Sequence, residues 1–154
     1  MGGSSHCRGG ASALFTFIKT FTTMIEYFKL ALSRYAEFTG RSRRSEYWYF
    51  TLVNVLISIA FNVLSLVTDG SGIIAGISGL VSLALFIPGL AVAVRRLHDV
   101  GRSGWWLLIA FTGIGIFVLL YWYVKDSEPG ANEYGPNPKT GAVAGNDVTR
   151  HLVD

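Results

Sequence analysis

Three apolar runs dominate the hydropathy pattern: Tyr47–Val67, Ile73–Val94 and Trp105–Val124. They are 21, 22 and 20 residues long and hold no charged residue, Arg95 falling just past the second. A helix of that length spans about 30 Å, the thickness of a bilayer's hydrocarbon core. The pattern predicts an all-α membrane protein with three transmembrane helices. Gly113 and Gly115, in the middle of the third run, raise the alternative of a re-entrant hairpin. A lipid-facing break would strand backbone groups, however, so a full crossing is the expectation.

Ahead of the spans, Met24–Phe38 is periodic at helical spacing. Met24, Phe28, Ala31, Tyr35 and Phe38 share one face, and Glu26, Lys29, Ser33 and Glu37 the other. This segment is too polar to span. It predicts an N-terminal amphipathic helix lying in the interface, or packed on the inner end of the bundle. Residues 1–23 open Gly/Ser-rich, and Leu14–Phe21 is a short apolar run interrupted by Lys19. They lack the pattern of a secretory signal and are expected to be a disordered extension, with Met24 a candidate start. The membrane domain is then residues 39–125. In the segment 126–154, Pro129, Gly130, Gly135, Pro136 and Pro138 crowd together, predicting turns and, beyond Lys139, disorder.

Charge orients the expected bundle. Arg34, Arg41, Arg43 and Arg44 precede the first span, and Arg95, Arg96 and Arg102 fall between the second and third. The loop 68–72 has no Lys or Arg and carries Asp69. By the positive-inside rule the N-terminus is cytoplasmic, and three crossings put the C-terminus outside. The tail from Lys125 adds three cationic and five acidic residues. All four tryptophans (Trp48, Trp105, Trp106 and Trp122) fall at expected membrane–water boundaries.

Within the first span, Thr51, Asn54, Ser58, Asn62 and Ser65 recur at one helical face. Facing lipid, their amides would be costly, so this stripe is expected to hydrogen-bond across helices. A solute path along it is the functional alternative. It contains no ionisable group, which weakens ion-coupled transport. Gly72-x-x-x-Gly76 permits close helix approach, and Pro88 should kink the second span, with neighbouring groups absorbing the lost hydrogen bond.

Composition agrees with a membrane protein: 51% hydrophobic and 15% charged residues in a chain of 154, with mean hydropathy +0.42. A pI near 9.2 would suit nucleic acid, but the basic residues sit at the ends of apolar runs, which argues against it. One cysteine, Cys7, excludes an internal disulfide and a cysteine-based metal cage.

Candidate chemistry lies in two stretches that the topology brings to one face: Gly40–Trp48 and Arg95–Trp106. Glu46 and Asp99 are expected to be counter-ions at a low-dielectric boundary, with His98 a structural ion-pair or hydrogen-bond partner beside them. They do not neutralise Arg41, Arg43, Arg44, Arg95, Arg96 and Arg102, so the surplus is expected to form a basic rim for anionic lipid or another phosphate-bearing ligand. The bland alternative is that the arginines only set topology. His98 beside Asp99 invites a general-base reading, but adjacent helical residues point about 100° apart. No nucleophile elbow, metal-ligand set or phosphate loop accompanies the pair, so no metal or cofactor is expected.

These stretches carry a resemblance. Tyr35-Ala36-Glu37-Phe38-Thr39-Gly40-Arg41, Arg44-Ser45-Glu46-Tyr47-Trp48, Arg95-Arg96-Leu97-His98-Asp99-Val100-Gly101-Arg102-Ser103-Gly104-Trp105-Trp106 and Gly130–Pro138 occur in that order. The chain over Tyr27–Pro138 resembles the domain-of-unknown-function 805 family of small bacterial inner-membrane proteins. The resemblance implies inner-membrane residence and no known activity. The reading is therefore a non-enzymatic accessory or membrane-organising protein, binding anionic lipid or a partner through its cytoplasmic arginines. It would act as a homo-oligomer or within a membrane-protein complex. The alternatives are a transport or channel component and a lipid-headgroup enzyme.

Overall fold

A computed structural model describes residues 8–68, 70 and 72–139, with side chains from residue 13 onward. The described residues form helices and no strand: α1 Arg8–Ser33, α2 Arg44–Val67, α3 Gly72–Asp99, a 3-10 helix Gly104–Thr112, and α4 Gly115–Val124. Two of them, α2 and α3, are long and apolar enough to cross a membrane. They pack side by side while Leu52, Leu56, Ile59 and Val63 of α2 and Leu80, Leu83 and Phe86 of α3 point outward. Such an apolar exterior suits lipid, not water.

Helix α1 departs from its expected bounds. Residues 8–23, expected to be disordered, continue the helix, and it ends at Ser33, five residues before Phe38. Its C-terminal half docks on α2 through stacked rings, Tyr27 on Tyr49 at 5.5 Å and Phe28 on Phe50 at 5.4 Å. Ala31, Phe50 and Val92 form the core where the first three helices meet. The first seven residues lie outside those described.

Pro88 sits inside α3 and is fully buried. It has no N–H, so the carbonyl of Ala84, four residues earlier, loses its helical donor. The hydroxyl of Tyr35 donates to that carbonyl at 2.7 Å. The lost bond is thus replaced from the turn that follows α1.

The third apolar run does not form the continuous span expected over 105–124. It folds into two arms, the 3-10 helix and α4, with the corner at Gly113 (φ 73°). The arms return alongside each other: Trp106 meets Trp122 edge-on at 5.3 Å, and Arg102 lies over the Trp122 ring. Nine residues at about 2 Å and ten at about 1.5 Å reach only about half a hydrocarbon core. The stranded backbone groups that argued against a break are satisfied locally. The amides of Gly113, Ile114, Ile116 and Phe117 find carbonyls of this corner, and that of Gly115 finds the Thr112 hydroxyl at 3.0 Å. Gly115 is required here, since a Cβ on it would come within 1.9 Å of the Ile109 carbonyl oxygen.

Residues 126–139 then return as a strap across the end of the bundle where α2 begins and α3 ends. The Glu128 amide bonds the Asp99 carbonyl at 2.9 Å, and Asn132 and Gly135 form an isolated bridge that closes a turn. This stretch is an ordered cap, on the same end as Arg41 and not the opposite one that three crossings require. Residues 140–154, expected to be disordered, lie outside those described.

Candidate functional site: buried arginines under a strap

Three arginines are buried at this end: Arg41 before α2, and Arg95 and Arg96 in the last turns of α3. Being adjacent on a helix, Arg95 and Arg96 point about 100° apart and so reach different neighbours. Arg95 turns towards α1. Its Nη2 bonds Glu46 Oε1 at 2.9 Å, and its Nη1 reaches the carbonyls of Arg34 and Glu37 just past the end of α1. Arg96 turns towards α4, pairs with Asp99, and donates to the carbonyls of Trp122, Tyr123 and Lys125.

Helix ends leave four carbonyls without intrahelical donors and carry partial negative charge. At the end of α4 all four are met. The Lys125 amide takes Tyr121, Arg96 takes Trp122 and Tyr123, and Arg44 takes Val124 at 3.3 Å.

Arg41 uses every donor of its fork. Its Nε bonds Asp99 Oδ1 at 3.0 Å, Nη1 the carbonyls of Gly130 and Gly135, and Nη2 those of Asp99 and Glu128. Asp99, with no exposed surface, also accepts from the Ser127 hydroxyl at 2.6 Å. The pair therefore fastens the strap to α3. Three buried cations face two buried carboxylates, Glu46 and Asp99. Backbone carbonyls, arranged by helix ends and turns, supply the remaining negative potential.

The structure brings together Arg41, Glu46, Arg95, Arg96 and Asp99, as the shared-face reading expects, but it turns three of the six arginines inward. Arg41, Arg95 and Arg96, expected on a lipid-binding rim, are buried with their guanidinium groups engaged by protein. Arg102 is exposed, and Arg43 and Arg44 are half-buried. Arg43 donates to the Pro138 carbonyl at 2.9 Å, and Arg44 pairs with exposed Asp126 at 3.3 Å. Lys139 also pairs with Asp126 and holds its carboxyl below the usual carboxylate range, helped by the Ser127 amide.

His98 and Asp99 are not an oriented pair. His98 stacks flat on Tyr134, ring centroids 3.8 Å apart, with Nδ1 3.3 Å from the Gly40 carbonyl, while Asp99 faces the arginines. In α2 the two asparagines of the polar stripe bond along the helix itself. Asn54 donates to Phe50 and Asn62 to Ser58, each to the carbonyl four residues back. Asn62 and Ser58 are exposed; Thr51, Asn54 and Ser65 are half-buried. Ser127, Glu128, Asn132 and Asn137 of the strap escaped the reading of the sequence as site residues. Their only signal was membership of the turn-rich stretch around the Gly130–Pro138 motif.

The described residues thus form a small helical protein of two long apolar helices, a short apolar hairpin and an arginine-fastened strap, and comparison supplies the family. Residues 35–136 match the family described as protein of unknown function (DUF805), and the chain belongs to it. The chain is similar to the inner membrane protein YhaI of Escherichia coli, 41% identical over 119 residues, covering 77% of this chain and 99% of that one. It is also similar to the inner membrane protein YhaH of the same organism, 36% identical over 121 residues, covering 75% and 98%. No solved structure matches. The family begins at Tyr35, the residue that replaces the hydrogen bond lost to Pro88, and ends one residue after Gly135, whose carbonyl Arg41 holds.

Proposed function

We propose that this is a non-enzymatic, membrane-organising or accessory protein of the bacterial inner membrane that presents a basic end to anionic headgroups. Helices α2 and α3 cross the bilayer, and the 3-10/α4 hairpin enters and leaves on the cytoplasmic side. The Arg41 end and the strap are then both cytoplasmic, in place of the external C-terminus that three crossings imply. The single observation that carries this reading is the division of labour among the arginines. Arg41, Arg95 and Arg96 are buried within the end, while Arg102 is exposed and Arg43 and Arg44, each with a protein partner, are half-buried at its rim. His98 and Asp99, the candidates for chemistry, serve packing and pairing. A juxtamembrane arginine attracts anionic lipid by about 1 kcal/mol.

The test is lipid analysis of polymer-bounded native membrane discs carrying the full chain. Phosphatidylglycerol is expected above its bulk fraction around the parent and less enriched around an Arg43→Gln/Arg44→Gln variant. Equal enrichment around both would reject the headgroup reading. A reporter fused after Lys139 tests the topology separately: a cytoplasmic-type reporter is expected to be active there, and an active periplasmic phosphatase would overturn the two-crossing arrangement.

A further inference from the structure

A groove of about 450 Å³ runs beside α3, on the flank between the chain that follows α1 and the 3-10 helix. This is the size of a small-molecule site. Leu90, Val94 and His98, at spacings of four, share one stripe of α3 and form its floor; Phe38 and Leu107–Leu108 form walls. Gly104 sets its width, since a Cβ there would come within 2.8 Å of Val94. From His98 to Leu90 is eight residues, so the groove descends about 12 Å from the charged end along a membrane-crossing helix. Its deep part is apolar and its shallow end carries His98 and Ser103.

Charge matches one kind of occupant. The next residue, Arg102, is exposed and has no carboxylate partner among the described residues; its guanidinium rests 5.3 Å above the Trp122 ring. Within residues 34–139 nine Lys and Arg stand against seven Asp and Glu. A groove that is apolar at acyl-chain depth, with an exposed arginine one residue from Ser103 that would swing from the Trp122 ring to meet a phosphate, complements an anionic phospholipid.

We propose that this groove is a specific site for one anionic phospholipid, an acyl chain lying along Leu90 and Val94 and the phosphate at Ser103 and Arg102. The proposal rests on the membrane arrangement given above and adds a single stoichiometric site to its diffuse basic rim.

The experiment is native mass spectrometry of the full chain in mild detergent, after equilibration with equal amounts of phosphatidylglycerol and phosphatidylcholine. One phosphatidylglycerol per chain is expected to remain. Leu90→Trp and, from the opposite wall, Leu108→Trp fill the groove and are expected to abolish retention while circular dichroism stays that of the parent. Arg102→Gln is expected to lower the preference over phosphatidylcholine by about fivefold, the effect of one arginine near a charged headgroup. Arg43→Gln/Arg44→Gln should leave the retained lipid in place, which separates this site from the general rim. Retention of both lipids alike, or retention of phosphatidylglycerol unchanged by both tryptophan variants, overturns the proposal. So does replacement of the lipid by a second copy of the chain.

Discussion

Replacing Asp99 by asparagine keeps the volume of the side chain and removes its charge, at a residue with no exposed surface. Asp99 accepts from Arg41, Arg96 and Ser127, so the change leaves two buried guanidinium groups without a carboxylate, Glu46 being engaged with Arg95. The new amide also turns donor hydrogens towards donors. Removing one partner of a buried pair costs about 3–5 kcal/mol, a large part of the roughly 5–15 kcal/mol that holds a domain folded. The strap feels this first. It is fastened by three contacts from Arg41 and two from Asp99, and it packs beside the Lys125 peptide whose carbonyl Arg96 holds. Thermal unfolding in a fixed detergent should fall markedly, and trypsin cleavage after Lys125 should speed up about a hundredfold or more if strap opening bears the loss. Asp126→Asn is the control, because its pairs with Arg44 and Lys139 are solvent-exposed and contribute little. An Asp99→Asn protein that unfolds and is cleaved like Asp126→Asn would refute the view that the buried cluster holds this end together.

Tyr35→Phe strands the Ala84 carbonyl and should cost about 1 kcal/mol, but nothing in a Pro88→Ala background, where residue 88 supplies its own N–H; a double-mutant cycle in thermal or denaturant unfolding reads this coupling. Gly115→Ala drives a Cβ into the Ile109 carbonyl and should destabilise, reversing the gain of about 1 kcal/mol that alanine usually brings in a helix, with loss of the Trp106–Trp122 contact seen in near-ultraviolet circular dichroism. Ser42→Ala should be neutral or slightly stabilising in the same unfolding assay, within about 1 kcal/mol, because the buried hydroxyl has no hydrogen-bond partner among the described residues.

The order of apolar runs and arginines is enough to give a helical membrane protein, two helices long and apolar enough to cross a bilayer, and the meeting of the Gly40–Trp48 and Arg95–Trp106 stretches at one end. Those conclusions depend on length, hydropathy and the cost of placing charge in lipid, all of which are properties of the chain alone. The third run shows where such reasoning stops. A twenty-residue apolar segment has one composition whether it crosses or doubles back; what decides is whether a corner can satisfy its own amides. The Thr112 hydroxyl, Gly113 and the contact of Gly115 with Ile109 do so only in three dimensions. The arginines divide in the same way. Nothing in the order Arg41, Arg43, Arg44 says which turns inward, because the acceptors of Arg41 lie 58 residues away at Asp99 and 87 or more away in the strap. A guanidinium is buried only where folded carbonyls and a carboxylate replace its water, and that arrangement is made by the tertiary structure.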